Sequence, residues 1–265
     1  MAITAVMVKQ VGHLPLLEIM LFRNIPTMII VPIILKKMNI SLFGNNKPIL
    51  WFRGFMGLLG MLTIYYTFTV MSLTDAMTIQ QLSPFFIFFL AGIFLREKIQ
   101  LRQMPFFIFA FLGGLLVIKP GLRIDMFPAM AALIAAIFMA TAHLTLRHLR
   151  LTDHHLVIIN YFAYISGLIS LIILLFQKSF IIPNSRDFFI LILLGLFALI
   201  LQYSLTKAYQ LAPASLISLY TYSQIIFAST LGLLFFMEIP DLLSMIGASF
   251  IIISGYLNYM FKSNN

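Results

Sequence analysis

Phe188 to Ile200 reads FFILILLGLFALI, thirteen consecutive residues without one polar side chain. A helix at a water-facing surface keeps an apolar stripe and a polar face. A membrane β-strand alternates apolar and polar positions over about ten residues. A run that is apolar at every position fits neither, and reads as a helix surrounded by lipid and other helices. The rest of the chain has the same texture. It is 62% hydrophobic and 9% charged over 265 residues, with a mean hydropathy of +1.04. A soluble domain carries about a quarter charged residues, and so few charges cannot cover a water-facing surface. The fold class is therefore all-α integral membrane.

Runs of about 20 apolar residues place spans near 16–35, 50–72, 76–95, 104–118, 127–147, 155–176, 188–208, 211–237 and 241–261. Polar or Pro/Gly clusters separate them: Lys36-Lys37 through Pro48, Arg96-Glu97-Lys98, Lys119-Pro120-Gly121, Arg150 to His155, and Gln177 to Asp187. No linker is long enough for a soluble domain. An apolar stub, Met1 to Val8, precedes the first span and is too short to cross a bilayer.

The chain also matches itself. Shifted by 138 positions, Tyr65 falls on Tyr203, Leu73 on Leu211, Ala76 on Ala214 and Ile79 on Ile217. After a three-residue slip, Phe86 meets Phe227, Glu97 meets Glu238 and Gly114 meets Gly255. Repeats with an odd number of spans, set in series, face opposite ways, and inverted repeats are a usual build of secondary transporters. The expected architecture is a ten-span bundle of two five-helix inverted repeats, residues 1–126 and 127–265, with the first span truncated. The shift sets the first span's start a dozen residues before Met1, so either the recorded start is late or the half-span is genuine.

Lys and Arg counts orient the spans. With the N-terminus cytoplasmic, the inner loops hold 11 basic residues and the outer loops 5. This bias predicts both termini inside. The net charge of +9 thus belongs mostly to short loops, and no basic helix or aromatic-basic patch points to nucleic acid. The chain has no cysteine, which excludes disulfides and thiol chemistry.

Several segments now form a pattern. They are Leu73-Thr74-Asp75-Ala76, Leu82-Ser83-Pro84-Phe85-Phe86 and Phe94-Leu95-Arg96-Glu97-Lys98, with Ala208 to Ser215, Tyr222-Ser223-Gln224 and Phe235-Phe236-Met237-Glu238 in the second half. Together with Leu17 to Arg23 and Arg53 to Met61, they resemble the EamA-type drug/metabolite transporters over nearly the whole chain. The resemblance implies ten spans in two inverted repeats, cytoplasmic termini, and movement of small metabolites or drugs across the inner membrane. Some members of that family take up S-adenosylmethionine, and others export amino acids or other metabolites. The chain departs from the pattern in its first half-span and in Gln224, where a proline is common.

Polar residues inside spans usually face a cavity or the bundle interior. Asp75, Thr78 and Gln81 share one helical face, as do Ser215, Ser218 and Tyr222 on the corresponding second-half span. They read as cavity lining or as interhelical hydrogen-bonding groups. Tyr65 and Tyr203, equivalent in the repeat, read as cavity aromatics or as interfacial belt residues. His143 lies mid-helix and joins the cavity candidates. The expected substrate-binding set is Tyr65, Thr78, Gln81, His143, Tyr203, Ser218 and Tyr222. Glu18 is the candidate for a proton-coupling carboxylate, with a loop-edge carboxylate as the alternative, and Lys207 reads as snorkelling to the interface. His143, His148, His154 and His155 invite a metal, but no carboxylate or cysteine set is spaced with them.

The pairs Gly57/Gly60 and Gly113/Gly114 read as close helix packing. There is no P-loop, nucleophile elbow, zinc-protease or dinucleotide motif, so no catalytic residue, cofactor or ATP drive is expected. Three function classes compete. The first is a secondary transporter or facilitator for a small organic metabolite, working by alternating access, whose Tyr, Gln and Ser suit a neutral, zwitterionic or aromatic-cationic solute. The second is an intramembrane enzyme on a lipid substrate, which would need clustered carboxylates for Mg²⁺ or a Ser/His/Asp set. The third is a non-transporting membrane subunit. The sequence is silent on oligomeric state.

Overall fold

The computed structural model describes residues 1–94, 104–118, 126–211, 217 and 220–263, and the described residues form helices and turns with no strand. Among the described residues eleven helices run in order: α1 (Ala2–Gln10), α2 (Leu16–Lys37), α3 (Lys47–Val70), α4 (Leu73–Gln80), α5 (Ser83–Phe94), α6 (Met104–Ile118), α7 (Met126–Leu149), α8 (His155–Gln177), α9 (Ser185–Leu211), α10 (Ser223–Phe236) and α11 (Leu242–Ser263). Six of these are long and apolar enough to cross a membrane, and α6 and α10 are shorter apolar helices. Large apolar side chains point outward along them, among them Ile172, Leu175, Ile200 and Ile226. The molecule is an all-α, multi-pass membrane protein.

Local chemistry sets the helix ends. Asn46 caps α3 by accepting from the Ile49 amide, with Pro48 in the first turn, and Ser72 caps α4 by accepting from the Asp75 amide at 3.0 Å. Lys178 and Met237 adopt left-handed backbone (φ 49° and 55°) just beyond α8 and α10, which stops both helices. Pro26 and Pro32 lie inside α2, a position tolerated in membrane helices where neighbours re-satisfy the backbone. Pro26 is met by Gly195 of α9, whose missing side chain is the space that the proline ring fills: a Cβ there would lie 2.6 Å from Pro26 Cγ.

The expected continuous span 76–95 is instead two helices, α4 and α5, separated by a turn at Gln81-Leu82. Pro84 supplies the reason. Its ring blocks the carbonyl one turn earlier and it has no N–H to donate.

At the centre α3 packs along α7 and α8, while α2 lies on α8 and α9. Gly54, Gly57 and Gly60 face Ile165, Phe162 and Met139 respectively, so three glycines one turn apart let α3 approach both neighbours. α6 and α11 cross where Gly113 and Gly247 touch backbone to backbone. A Cβ on either would lie 2.6 or 2.5 Å from the other's carbonyl oxygen. α10 packs on α4 and α1.

Candidate functional site

The helix break is the first functional feature. Gln80, Gln81 and Ser83 are all buried, and Gln80 Oε1, Gln81 Nε2 and Ser83 Oγ have no hydrogen-bond partner. Interrupted helices with unsatisfied polar groups are where transporters of inverted-repeat build hold solutes. Thr78, one turn earlier, turns its hydroxyl back to the Thr74 carbonyl at 2.7 Å, so that donor is used within the helix.

The second feature is cationic. Arg23 of α2 and Arg53 of α3 are buried, at 3% and 4% exposure. Their guanidinium carbons lie 5.2 and 4.8 Å from the centre of the same ring, Phe162 of α8. The space comes from Gly57, where a Cβ would lie 2.9 Å from both Arg53 Nη1 and the Phe162 ring. Arg23 donates to Asn24 at 3.2 Å, but its Nε and the Nε and Nη1 of Arg53 have no partner. The two charges are no more than 10 Å apart, the sum of the two distances to the ring. At an effective dielectric of about 20 they repel by roughly 1.5 kcal/mol or more.

Aromatic and polar side chains continue from these arginines across the bundle. The buried Tyr65 hydroxyl sits by Arg23 without a partner in hydrogen-bond geometry. His143 of α7 lies within electrostatic reach of Arg53 and stacks on Tyr209 of α9, centres 4.8 Å apart and planes at 19°. Tyr209 is in turn within reach of Tyr222. Tyr222 packs with Ile79, Leu82 and Phe85 at the helix break, its ring pressed on Gly255 of α11.

The expected residues thus divide. Tyr65 and His143 lie with the arginines, and Gln81 and Tyr222 lie at the break. Tyr203 is half-exposed, edge-on to His155 at 5.3 Å and accepting from Lys207 at 3.4 Å, apart from Tyr65. Ser218 lies outside the described residues, as does Ser215. Arg53 falls within the expected span 50–72, but neither it, Arg23 nor Tyr209 is among the expected substrate-binding residues. The one signal for Arg53 was Gly57, a residue with no side chain one helical turn beyond a cation.

Several charged groups elsewhere have partners. Lys9 of α1 forms an ion pair with Glu238, and its ammonium also donates to the Met71 carbonyl. The second Glu238 oxygen accepts from the Leu73 amide at 2.9 Å, so one carboxylate just beyond α10 ties the end of α1 to the start of α4. His13 meets Asp187 at 3.0 Å. At the α3 and α8 ends, the Asp153 carboxylate accepts from the Asn45 and Asn46 amides at 2.6 and 3.2 Å. His154 and His155 lie ring on ring at 4.0 Å. Among the described residues no group of three His, Asp or Glu is arranged to hold a metal. His154 Nδ1 instead accepts from the Leu156 amide and caps α8. A groove of about 630 Å³ lies between α2, α3 and α8, but Trp51, Leu168 and Ile172 on its walls are exposed to the outer flank.

Comparison with known proteins identifies the family. The chain matches the EamA-like transporter family over residues 1–119 and again over 126–260. It is 28% identical to the pseudopaline exporter CntI of Pseudomonas aeruginosa, over 91% of this chain and 85% of that protein. It is 30% identical to mouse (Mus musculus) solute carrier family 35 member G1, over 96% of this chain and 73% of that one. It is 26% identical to the S-adenosylmethionine uptake transporter of Rickettsia prowazekii, over 76% and 67%. A solved crystal structure superposes with a TM-score of 0.71 at 14% identity, covering 98% of this chain and 95% of the other, which shows the shared fold. Matched in both halves to one family, and similar to transporters of different solutes, the chain belongs to the EamA-like transporter family and is a membrane transporter of small molecules rather than an enzyme.

Proposed function

We propose that the chain moves a small organic metabolite across the inner membrane by alternating access, as a secondary transporter or facilitator. Two inverted five-helix repeats, residues 1–126 and 127–265, rock about a solute held between them, and both termini lie in the cytoplasm. Tyr65, Gln81, His143 and Tyr222 contact the solute, with Thr78, Tyr203 and Ser218 along its path. The observation that carries this reading is the set of buried polar groups without partners at Tyr65, Gln80, Gln81 and Ser83. Burying such a group costs about 1–3 kcal/mol unless something hydrogen-bonds to it, and a passing solute does so. The relatives' named solutes differ, pseudopaline in one and S-adenosylmethionine in another, so the cargo here is sought by its chemistry.

Flux of a labelled metabolite panel into proteoliposomes, with and without a pH gradient, tests the reading. Accumulation of at least one solute is expected, and a vesicle as tight as protein-free liposomes to every solute overturns it. Glu18 is the carboxylate to test for proton coupling. It is fully buried, with one oxygen on the Ile181 amide at 3.0 Å and the other unpartnered. Glu18→Gln should remove any response to the pH gradient. A reporter fused after Asn265 should be active only in the cytoplasm.

A further inference from the structure

We propose that Arg23 and Arg53 form a carboxylate-binding subsite for the transported solute, an inference that rests on the transport reading and narrows its substrate class. Both guanidiniums are more than nine-tenths buried inside spanning helices. A cation in that setting pairs with an anion or serves a transport path. No ion pair among the described residues includes either arginine. The described carboxylates are engaged elsewhere: Glu18 with the Ile181 amide, Asp75 with Ser244, Asp153 with the Asn45 and Asn46 amides, Asp187 with His13, and Glu238 with Lys9. Asp241 accepts from the Ser244 amide.

Phe162 orients both guanidiniums but carries no charge to balance them. Three donor nitrogens, Arg23 Nε and Arg53 Nε and Nη1, are without acceptors, and the Tyr65 hydroxyl by Arg23 offers a fourth donor. The planar guanidinium fork matches a carboxylate bidentately. Arg23 and Arg53 come from the first half and Phe162 from the second, so side chains of both halves build the subsite. Of the expected solute types, a zwitterion is kept, and an aromatic cation without a carboxylate is repelled.

The test uses the purified full-length chain in detergent. Its melting temperature is measured at matched ionic strength with acetate, succinate and L-phenylalanine, each against its amide (acetamide, succinamide, L-phenylalaninamide), and with inorganic phosphate. At least one carboxylate should raise the melting temperature by about 2–4 °C at concentrations well above its Kd, and its amide should not. Arg53→Gln and Arg23→Gln should abolish the shift. Arg53→Lys, which keeps the charge and loses the fork, should fold and respond more weakly, and it decides the matter if the Gln variants fail to accumulate. The inference is overturned if amides stabilise as well as acids, if phosphate outperforms every carboxylate, or if the Arg53→Lys response equals wild type. Flux assays keep the two claims apart. Transport of a solute without a carboxylate, coupled with no carboxylate shift, sinks the subsite and leaves the transporter. A carboxylate shift with no flux of any solute sinks the transport reading and leaves the binding site.

Discussion

Two cationic regions of this molecule, one part-buried and one buried, are built in opposite ways. At Lys9, one ammonium meets a carboxylate and a carbonyl, and the carboxylate's other oxygen is taken by a backbone amide. At Arg23 and Arg53, two guanidiniums share one phenylalanine face and leave three nitrogens without acceptors. The same chain therefore satisfies a charge where it joins segments and leaves charges open between α2, α3 and α8. A structural cation and a ligand-facing cation are distinguished by what remains undone around them.

The strongest way to break this comparison is to remove one charge from each region. Glu238→Ala strands the largely buried Lys9 ammonium and frees the Leu73 amide, and should cost about 3–5 kcal/mol of stability in detergent melting. Adding Lys9→Met should recover most of it, and a double-mutant cycle with no coupling would make the pair incidental. Arg53→Met should have the opposite sign. Replacing an unpaired buried charge by an apolar side chain of similar length should leave the melting temperature unchanged or raise it by up to about 1 kcal/mol equivalent, while flux falls more than it does for any uncharged cavity variant. A loss of stability there as large as that of Glu238→Ala would make the arginine structural.

Smaller perturbations sharpen the picture. Gly57→Val drives a methyl group into Arg53 Nη1 and the Phe162 ring and should cost about 1–3 kcal/mol by overpacking, read as a lower melting temperature. Gln81→Leu should raise the apparent KM several-fold, on the order of 1 kcal/mol, with normal membrane accumulation. Tyr203→Ala should do less, since its side chain is half-exposed against His155 and Lys207, and Tyr256→Phe, on the exposed face of α11, should be silent.

The least effect concerns pH. Burial, then the nearby Lys207 charge, hold the His154 imidazole below its ordinary value of 6.5. A histidine with a depressed folded pKa stabilises least where it must be protonated. Its capping contribution is therefore present above 6.5 and lost as pH falls from there toward the folded value. Wild type should therefore lose stability relative to His154→Asn, a non-titrating N-cap, as pH falls through that window in melting curves.

Much of this was legible in the sequence, and what was not has identifiable causes. The apolar runs placed the six long helices within a few residues, because a helix in lipid has no polar face to confuse its limits, whereas the expected span 211–237 begins partly outside the described residues and its described helix starts at Ser223. The break at Gln81-Leu82 was hidden because hydropathy sums over Ser83-Pro84 without seeing the lost backbone bond. Arg53 lies near the start of the expected span 50–72, where a basic residue reads as a contribution to the inside charge bias rather than to a site. Its burial depends on Phe162, more than a hundred residues away, and no local pattern encodes that. Tyr65 and Tyr203 align in the repeat yet differ in exposure, 2% against 37%, since a repeat copies the course of the backbone and not the neighbours each copy meets.

The glycine crossing of α6 and α11 has a mechanical consequence. α6 lies toward the end of the first half and α11 closes the second, and Gly113 and Gly247 press their backbones within van der Waals contact. No side chain stands between them to shear or to change rotamer, so translation along this seam meets the carbonyl oxygens directly. Rotation about it does not. In the rocking motion proposed above, this crossing is the expected fulcrum, a seam about which α6 and α11 tilt rather than slip.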